Sequence, residues 1–241
     1  MNNKISFLAL ITLFFAISSI PAHAVTLLVD NRFVESEGLI DSASLLYDFD
    51  SPSAPFSPFD SSAGVGATDD LGNGFSTSAS QYSNFTTEAF YAFGGVYATA
   101  YGSASGWSTS FLRMDFYVAT PTYFNLTGGI WADSDGYSRV TAGLRSEALG
   151  WGIGGTLPPH LSNMLINESG LLAPGIYTLG VNAETASPGG FWTSVLMQAG
   201  YDISLTFAGT VIPVPEPATL LLLGIGIIGL AGVTRQGFRK E

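Results

Sequence analysis

Apolar and polar side chains alternate with a period of two through much of this chain, which predicts strands rather than helices. In 111–118, Leu112, Met114, Phe116 and Val118 share one face while Arg113 and Asp115 take the other. In 175–183, Tyr177, Leu179 and Val181 form the inward set, opposite Ile176, Thr178 and Gly180, and Pro174-Gly175 supplies the turn ahead of them. Segment 201–211 places Tyr201, Ile203, Leu205 and Phe207 inward. Further strand candidates are 25–29, 75–82, 88–101, 122–131 and 139–145. Of these, 88–101 alternates small or polar residues with Tyr91, Phe93, Tyr97 and Tyr101. Segment 50–73 carries Pro52, Pro55 and Pro58 among Ser, Asp and Gly, and reads as a long loop. Segments 40–47 and 160–166 read as short helical turns. No interval suits crossover helices, which argues against a parallel sheet. The fold class expected is all-β, an antiparallel β-sandwich.

The two ends read differently. Lys4, the apolar run 5–17 and the small-x-small site in Pro21-Ala22-His23-Ala24 make 1–24 a signal peptide, cut after Ala24. Signal peptidase and the general secretion machinery are therefore expected partners. Near the other end, 218–233 is uncharged, and its 16 residues span about 24 Å as a helix. No face of it is polar, so it reads as a single short transmembrane helix. Arg235, Arg239 and Lys240 in 234–241 place that end in the cytoplasm. Pro213, Pro215 and Pro217 hold the approach to it extended. The expected organisation is thus 1–24 signal peptide, 25–210 sandwich and 211–241 tail.

Val214-Pro215-Glu216-Pro217-Ala218-Thr219, followed by a glycine-containing apolar segment and a basic end, resembles the PEP-CTERM sorting signal. Here the basic residues are spaced rather than contiguous. The resemblance implies an exported protein of a Gram-negative bacterium, handled by an exosortase after transient anchoring in the inner membrane. It also implies a setting of extracellular polysaccharide. Separately, Tyr123-Phe-Asn-Leu-Thr-Gly128 followed by Leu172-Ala-Pro-Gly-Ile-Tyr177-Thr-Leu179 is similar to jelly-roll domains, which would make the sandwich jelly-roll-like.

Composition narrows the chemistry. The chain has no cysteine, which removes disulfides, thiolate nucleophiles and thiolate metal sites. With the signal peptide gone, His160 is the single histidine, it follows Pro158-Pro159, and no Gly-x-Ser-x-Gly elbow accompanies it. Lysine is absent from 25–233, so Schiff-base chemistry is excluded there. Between 25 and 212, four arginines face seventeen acidic residues, a balance of −13. That charge disfavours nucleic acid and anionic partners.

Three features remain. Asp133-Ser-Asp135-Gly136 offers carboxylates at i and i+2, as at the opening of a calcium loop. No Glu stands at the twelfth position, and the same tetrapeptide serves plain turns. Glu88, Asp115, Glu147 and Glu184 are the carboxylates from which a glycosidase pair would be drawn. Trp107, Trp131, Trp151 and Trp192 would either pack the core or stack on sugar rings. The expected function is a non-enzymatic cell-envelope or extracellular-matrix protein that binds exopolysaccharide or a cation such as Ca²⁺. The alternative is a carboxylate-dependent, glycan-active enzyme.

Overall fold

The computed structural model describes residues 25–40, 44–133, 137–146, 148, 150–157, 162–188 and 195–210. The signal peptide, the sorting tail, Asp135, Glu147, His160 and Trp192 lie outside the described residues. Among the described residues, no helix is long and apolar enough to cross a membrane.

Twelve strands follow one another: β1 (Val25–Ile40), β2 (Ser44–Asp50), β3 (Phe59–Thr68), β4 (Gly74–Phe85), β5 (Ala89–Tyr101), β6 (Ala104–Val118), β7 (Thr122–Ala132), β8 (Ser138–Ser146), β9 (Trp151–Thr156), β10 (Asn163–Leu172), β11 (Gly175–Ser187) and β12 (Val195–Thr210). They form two six-stranded sheets. Sheet A runs β2-β1-β6-β11-β8-β9 and sheet B runs β10-β7-β12-β5-β4-β3. The registered pairs are antiparallel. From β5 to β8, and again from β9 to β12, each connection passes to the other sheet.

The inner faces share one core. Leu112, Met114, Phe116 and Val118 from β6 are fully buried against Phe90 of β5 and Tyr201, Ile203 and Leu205 of β12. Phe116 stands edge-on to Phe90 at 5.0 Å and to Phe207 at 5.4 Å, and stacks on Tyr177 at 5.8 Å. The period-two pattern predicted these inward sets.

In β5 the larger residues turn outward. Phe90, Ala92, Gly94, Val96, Ala98 and Ala100 face the core, whereas Tyr91, Phe93, Tyr97 and Tyr101 do not. The small inner side chains make room for Tyr201, whose hydroxyl meets Ser110 Oγ across the core at 2.9 Å. A Cβ on Gly94 would lie 2.7 Å from that hydroxyl. Burial pushes the Tyr201 phenol far up despite the Ser110 bond, so it stays neutral.

Three local expectations are corrected. Segment 40–47 is not a helical turn: it holds the end of β1 and the start of β2. Pairing with β1 decides its conformation, overriding the helical look of Leu45-Leu46-Tyr47. Segment 160–166 likewise contains the start of β10, paired with β7. The long loop 50–73 contains β3, whose Ser and Gly residues are tolerated because it is an edge strand. Asp48 Oδ2 of β2 accepts the Gly64 N–H at 2.8 Å, and Ser61 donates to Asp50, so the two sheets meet at this edge.

β1 is also longer than 25–29. A register shift between Leu27 and Val29 moves the inward positions from odd to even residues. Asp30 and Arg32 thereby enter the core beside Val34 and Ser36. Their side chains are 1% and 0% exposed and pair at 2.5 Å.

Candidate functional site

The registers of β3, β4, β5 and β12 line up outward-facing residues in rows across sheet B. One row is Asp60, Tyr82, Phe93 and Asp202. The next is Ser62, Ser80, Gly95 and Gly200, and the third is Gly64, Ser78, Tyr97 and Gln198. The middle row has almost no side-chain height, so it forms the floor of a groove crossing four strands, about 14 Å at ~4.8 Å per strand.

Aromatic rings flank that floor. Tyr82 and Phe93 stack at 5.2 Å with 24° between planes. Tyr91 adjoins both, at 6.2 Å and 6.1 Å. Phe93 and Tyr91 stay 45% and 39% exposed. At the far end Trp131 lies across Gly200, where a Cβ would fall 2.3 Å from the indole. Its own face is 41% exposed. Partial desolvation, with the charge of the hydrogen-bonded Asp202 beside it, pushes the Tyr91 phenol up. Such a surface offers flat apolar rings bordered by carboxylate acceptors.

Sheet A carries a different depression on its outer face. Gly180, Gly143 and Gly154 follow one another across β11, β8 and β9, with Arg113 of β6 at the head of the row. Above them is a trough of about 490 Å³. A Cβ on Gly180 would meet nothing within 4 Å, so the trough exists because that position has no side chain. Thr178 and Arg145 border it on one side, and Phe111, Asn182, Thr141 and Thr156 on the other.

Arg113 grips Asp115 through Nε at 3.1 Å and Nη2 at 3.0 Å. Thr178 donates to the same carboxylate at 2.7 Å. Partial burial alone would raise the Asp115 carboxyl. The bonds from Arg113 and Thr178 and the charges of Arg113 and Arg145 outweigh it and hold it below the usual range. The aromatic surface continues from the trough: Phe111 stacks on Phe33 at 5.0 Å, and Phe33 adjoins Phe49 at 5.7 Å.

The residues singled out from sequence distribute as follows. Trp107 and Trp131 both lie on outer faces rather than in the core, and Trp151 opens β9. Asp133 Oδ2 accepts the Gln198 N–H at 2.8 Å, while the Asp133 N–H donates to Gln198 O at 3.0 Å. It clasps β7 to β12, as an aspartate does in a turn. Among the described residues, no three His, Asp or Glu side chains gather as metal ligands. Glu88 lies in the β4–β5 turn. Asp115 and Glu184 share the outer face of sheet A but sit six residues apart in register, about 20 Å, beyond the reach of a carboxylate pair.

Tyr82, Phe93 and the Gly180 row were not singled out from sequence as site residues. The first pair had a usable signal. A β4–β5 hairpin turning at 86–88 sets Phe85 opposite Phe90, and counting outward puts Tyr82 opposite Phe93.

Comparison with known proteins adds a result for the C-terminal region. No curated protein matches the chain. Among solved structures, it is similar at 12% identity and TM-score 0.25 to the structure of infectious bursal disease virus Gx strain, covering 82% of this chain and 59% of that one. A structure of carbohydrate-binding modules from the β-sandwich superfamily matches at 8% identity and TM-score 0.19, covering 75% of this chain and 86% of that one. Both scores are too low for either likeness to carry weight. Residues 213–236 match the PEP-CTERM protein-sorting motif. That span contains Val214, Pro215, Glu216 and Pro217, the apolar segment and Arg235. The chain therefore carries a PEP-CTERM sorting motif, the mark of an exported protein that passes through a membrane-anchored stage and is processed by an exosortase.

Proposed function

We propose that this protein is a non-enzymatic component of the cell envelope or extracellular matrix of a Gram-negative bacterium, binding exopolysaccharide along the aromatic groove of sheet B. The observation that carries the reading is the low floor Ser62, Ser80, Gly95 flanked by Tyr82, Phe93 and Tyr91 and closed by Trp131. Pyranose rings present C–H faces to aromatic rings, and their hydroxyls can donate to Asp60, Asp202 and Gln198. The groove runs across the strands, so a polymer lies along it and engages several side chains at once.

Tyr82→Ala/Phe93→Ala removes both stacking rings from a solvent-exposed face. At ~1 kcal/mol or more for each ring, the double variant is expected to weaken binding about 30-fold. Affinity electrophoresis of the exported protein in gels containing exopolysaccharide from its host measures this. Unchanged retardation, with the circular dichroism spectrum preserved, would refute the groove. Assaying the same mixtures for new reducing ends separates binder from enzyme, since a binder produces none. The enzymatic reading has one observation in its favour. Glu35 and Glu37 project from the same face, about 7 Å apart along β1. Desolvation and the Glu35 charge raise the Glu37 carboxyl, against a lowering bond from Trp107.

The tail is a disposable address in this reading. Residues 218–233 hold the protein in the inner membrane, Arg235, Arg239 and Lys240 keep the end in the cytoplasm, and the exosortase acts at Pro215-Glu216-Pro217. Mass spectrometry of protein released by an exosortase-bearing host is expected to show a chain from Val25 to about Pro217. Released protein with its tail intact would contradict this.

A further inference from the structure

We infer that the aromatic outer face of β2, β1 and β6 is a second saccharide site, selective for amino sugars that carry a free ammonium group. Directly opposite residues of antiparallel strands share a face. Glu37 therefore stands between Tyr47 of β2 and Trp107 of β6, and Glu35 between Phe49 and Thr109. Phe33, next along that face of β1, closes one end: its ring adjoins Phe49 at 5.7 Å and stacks on Phe111 at 5.0 Å. Tyr47 and Phe49 lie nearly parallel, 8° apart at 6.4 Å, and each is about half exposed. Aromatic rings thus box two carboxylates on an open sheet face. Large apolar side chains grouped in this way on a surface mark a binding face.

Charge names the occupant. The donors that reach the two carboxylates are neutral: the Tyr47 hydroxyl bonds Glu35, and the Trp107 indole N–H bonds Glu37. Lysine is absent from 25–233, and the four arginines of 25–212 lie elsewhere. Arg32 is on the inner face with Asp30, and Arg113 grips Asp115. Arg139 shares the row of Glu35 but lies three strands away, about 14 Å, and turns to Glu184. Arg145 is on the row of Asp115, six residues from that of Glu35, or about 20 Å. Desolvation and the Glu35 charge raise the Glu37 carboxyl, and the Trp107 bond is what opposes them. An ammonium group relieves that repulsion, and the surrounding rings add cation–π attraction. A pyranose also presents C–H faces to Tyr47 and Phe49. A basic peptide brings the charge without the ring, and a neutral sugar the ring without the charge. An amino sugar matches both halves of the surface. Binding uses the same two carboxylates that a hydrolase would, with no bond broken.

The test titrates the exported protein by calorimetry with tetraglucosamine, its fully N-acetylated form and tetralysine. The pH is set between the titration of the two carboxylates and that of the sugar amine. Tetraglucosamine is expected to bind about 10-fold more tightly than either of the others, and to weaken as NaCl rises from about 50 to 500 mM. Glu35→Gln/Glu37→Gln is expected to remove the preference over the acetylated sugar. Glu88→Gln/Glu168→Gln takes the same charge from other strands and is expected to keep it. Tyr47→Ala is expected to weaken tetraglucosamine about fivefold, the loss of one ring. Glu37→Gln alone, which keeps an oxygen for Trp107, decides the matter if the double variant fails to fold. Equal affinity for amine and acetylated forms would overturn the inference. So would tetralysine binding as tightly as tetraglucosamine, which would make this a surface for a basic protein. Equal losses in the two double glutamine variants would do the same, since general acidity would then account for the binding. The groove of sheet B is read with other residues and a different polymer, so either reading can fail alone.

Discussion

Replacing Arg32 by methionine is expected to cost about 3–5 kcal/mol of folding stability, because it strands a buried carboxylate. Arg32 binds Asp30 through Nε at 2.6 Å and Nη2 at 2.5 Å. It also donates to Ser57 O at 2.8 Å and Ser83 Oγ at 2.9 Å, and its guanidinium carbon lies 4.6 Å over the Phe85 ring. Asp30 in turn accepts the Phe56 N–H at 2.6 Å. Phe56 holds a left-handed φ of 60°, a conformation that costs a side-chain-bearing residue about 1–2 kcal/mol. The ion pair therefore ties β1, the loop before β3 and β4 into one polar knot in an apolar setting. Asp30→Leu/Arg32→Met removes both charges and is expected to recover much of the loss. Urea unfolding of the single and double variants measures the coupling. A single-variant loss under about 1 kcal/mol would show that water reaches the pair.

Phe116→Ala is expected to lose a similar amount, about 3–5 kcal/mol, by a different route. Its ring is fully buried where the sheets meet, in contact with Phe90, Phe207 and Tyr177. The neighbours come from β5, β12 and β11, and their own ladders hold them in place, so the void cannot close by local collapse. Phe116→Leu keeps most of the volume and should retain more than half of the lost stability. Thermal melts of the two variants side by side check the ordering. An alanine variant as stable as the leucine one would mean that the core relaxes to fill the void.

The strands that the sequence made legible are those with a run of apolar residues on one face. Residues 112–118 of β6, 177–183 of β11 and 201–207 of β12 alternate cleanly, so strand, register parity and inward face follow together there, although β6 also turns Ser108 and Ser110 inward and β11 turns Thr185 and Ser187 inward. β5 was legible as a strand, but its inner face is the smaller set of side chains. Tyr201 arrives from more than a hundred residues later to fill the space above Gly94, and no local pattern announces it. β3 was hidden because Gly and Ser carry no strand signal and an edge strand needs little. β1 hides its inward arginine behind the parity change at Leu27 and Val29.

The candidate sites divide in the same way. Tyr82 and Phe93 face each other across a tight hairpin, so their pairing was open to counting from the turn. The trough on sheet A joins β6, β11 and β8, which are distant in sequence. Gly180 and Gly143 acquire meaning only when those strands are aligned. The sorting tail was legible from its residues alone because a sorting motif is read as a linear sequence.

The placement of β12 bears on how the protein carries tension. It is an interior strand of sheet B, paired through twelve consecutive residues with β5 and flanked on its other side by β7. The chain leaves β12 at Thr210, immediately ahead of the residues by which it is sorted. A pull on that end acts along β12 while β5 and β7 resist on both sides, so their hydrogen bonds are sheared together rather than peeled one at a time. Whatever the tail is joined to, the sandwich grips it through one of its best-secured strands.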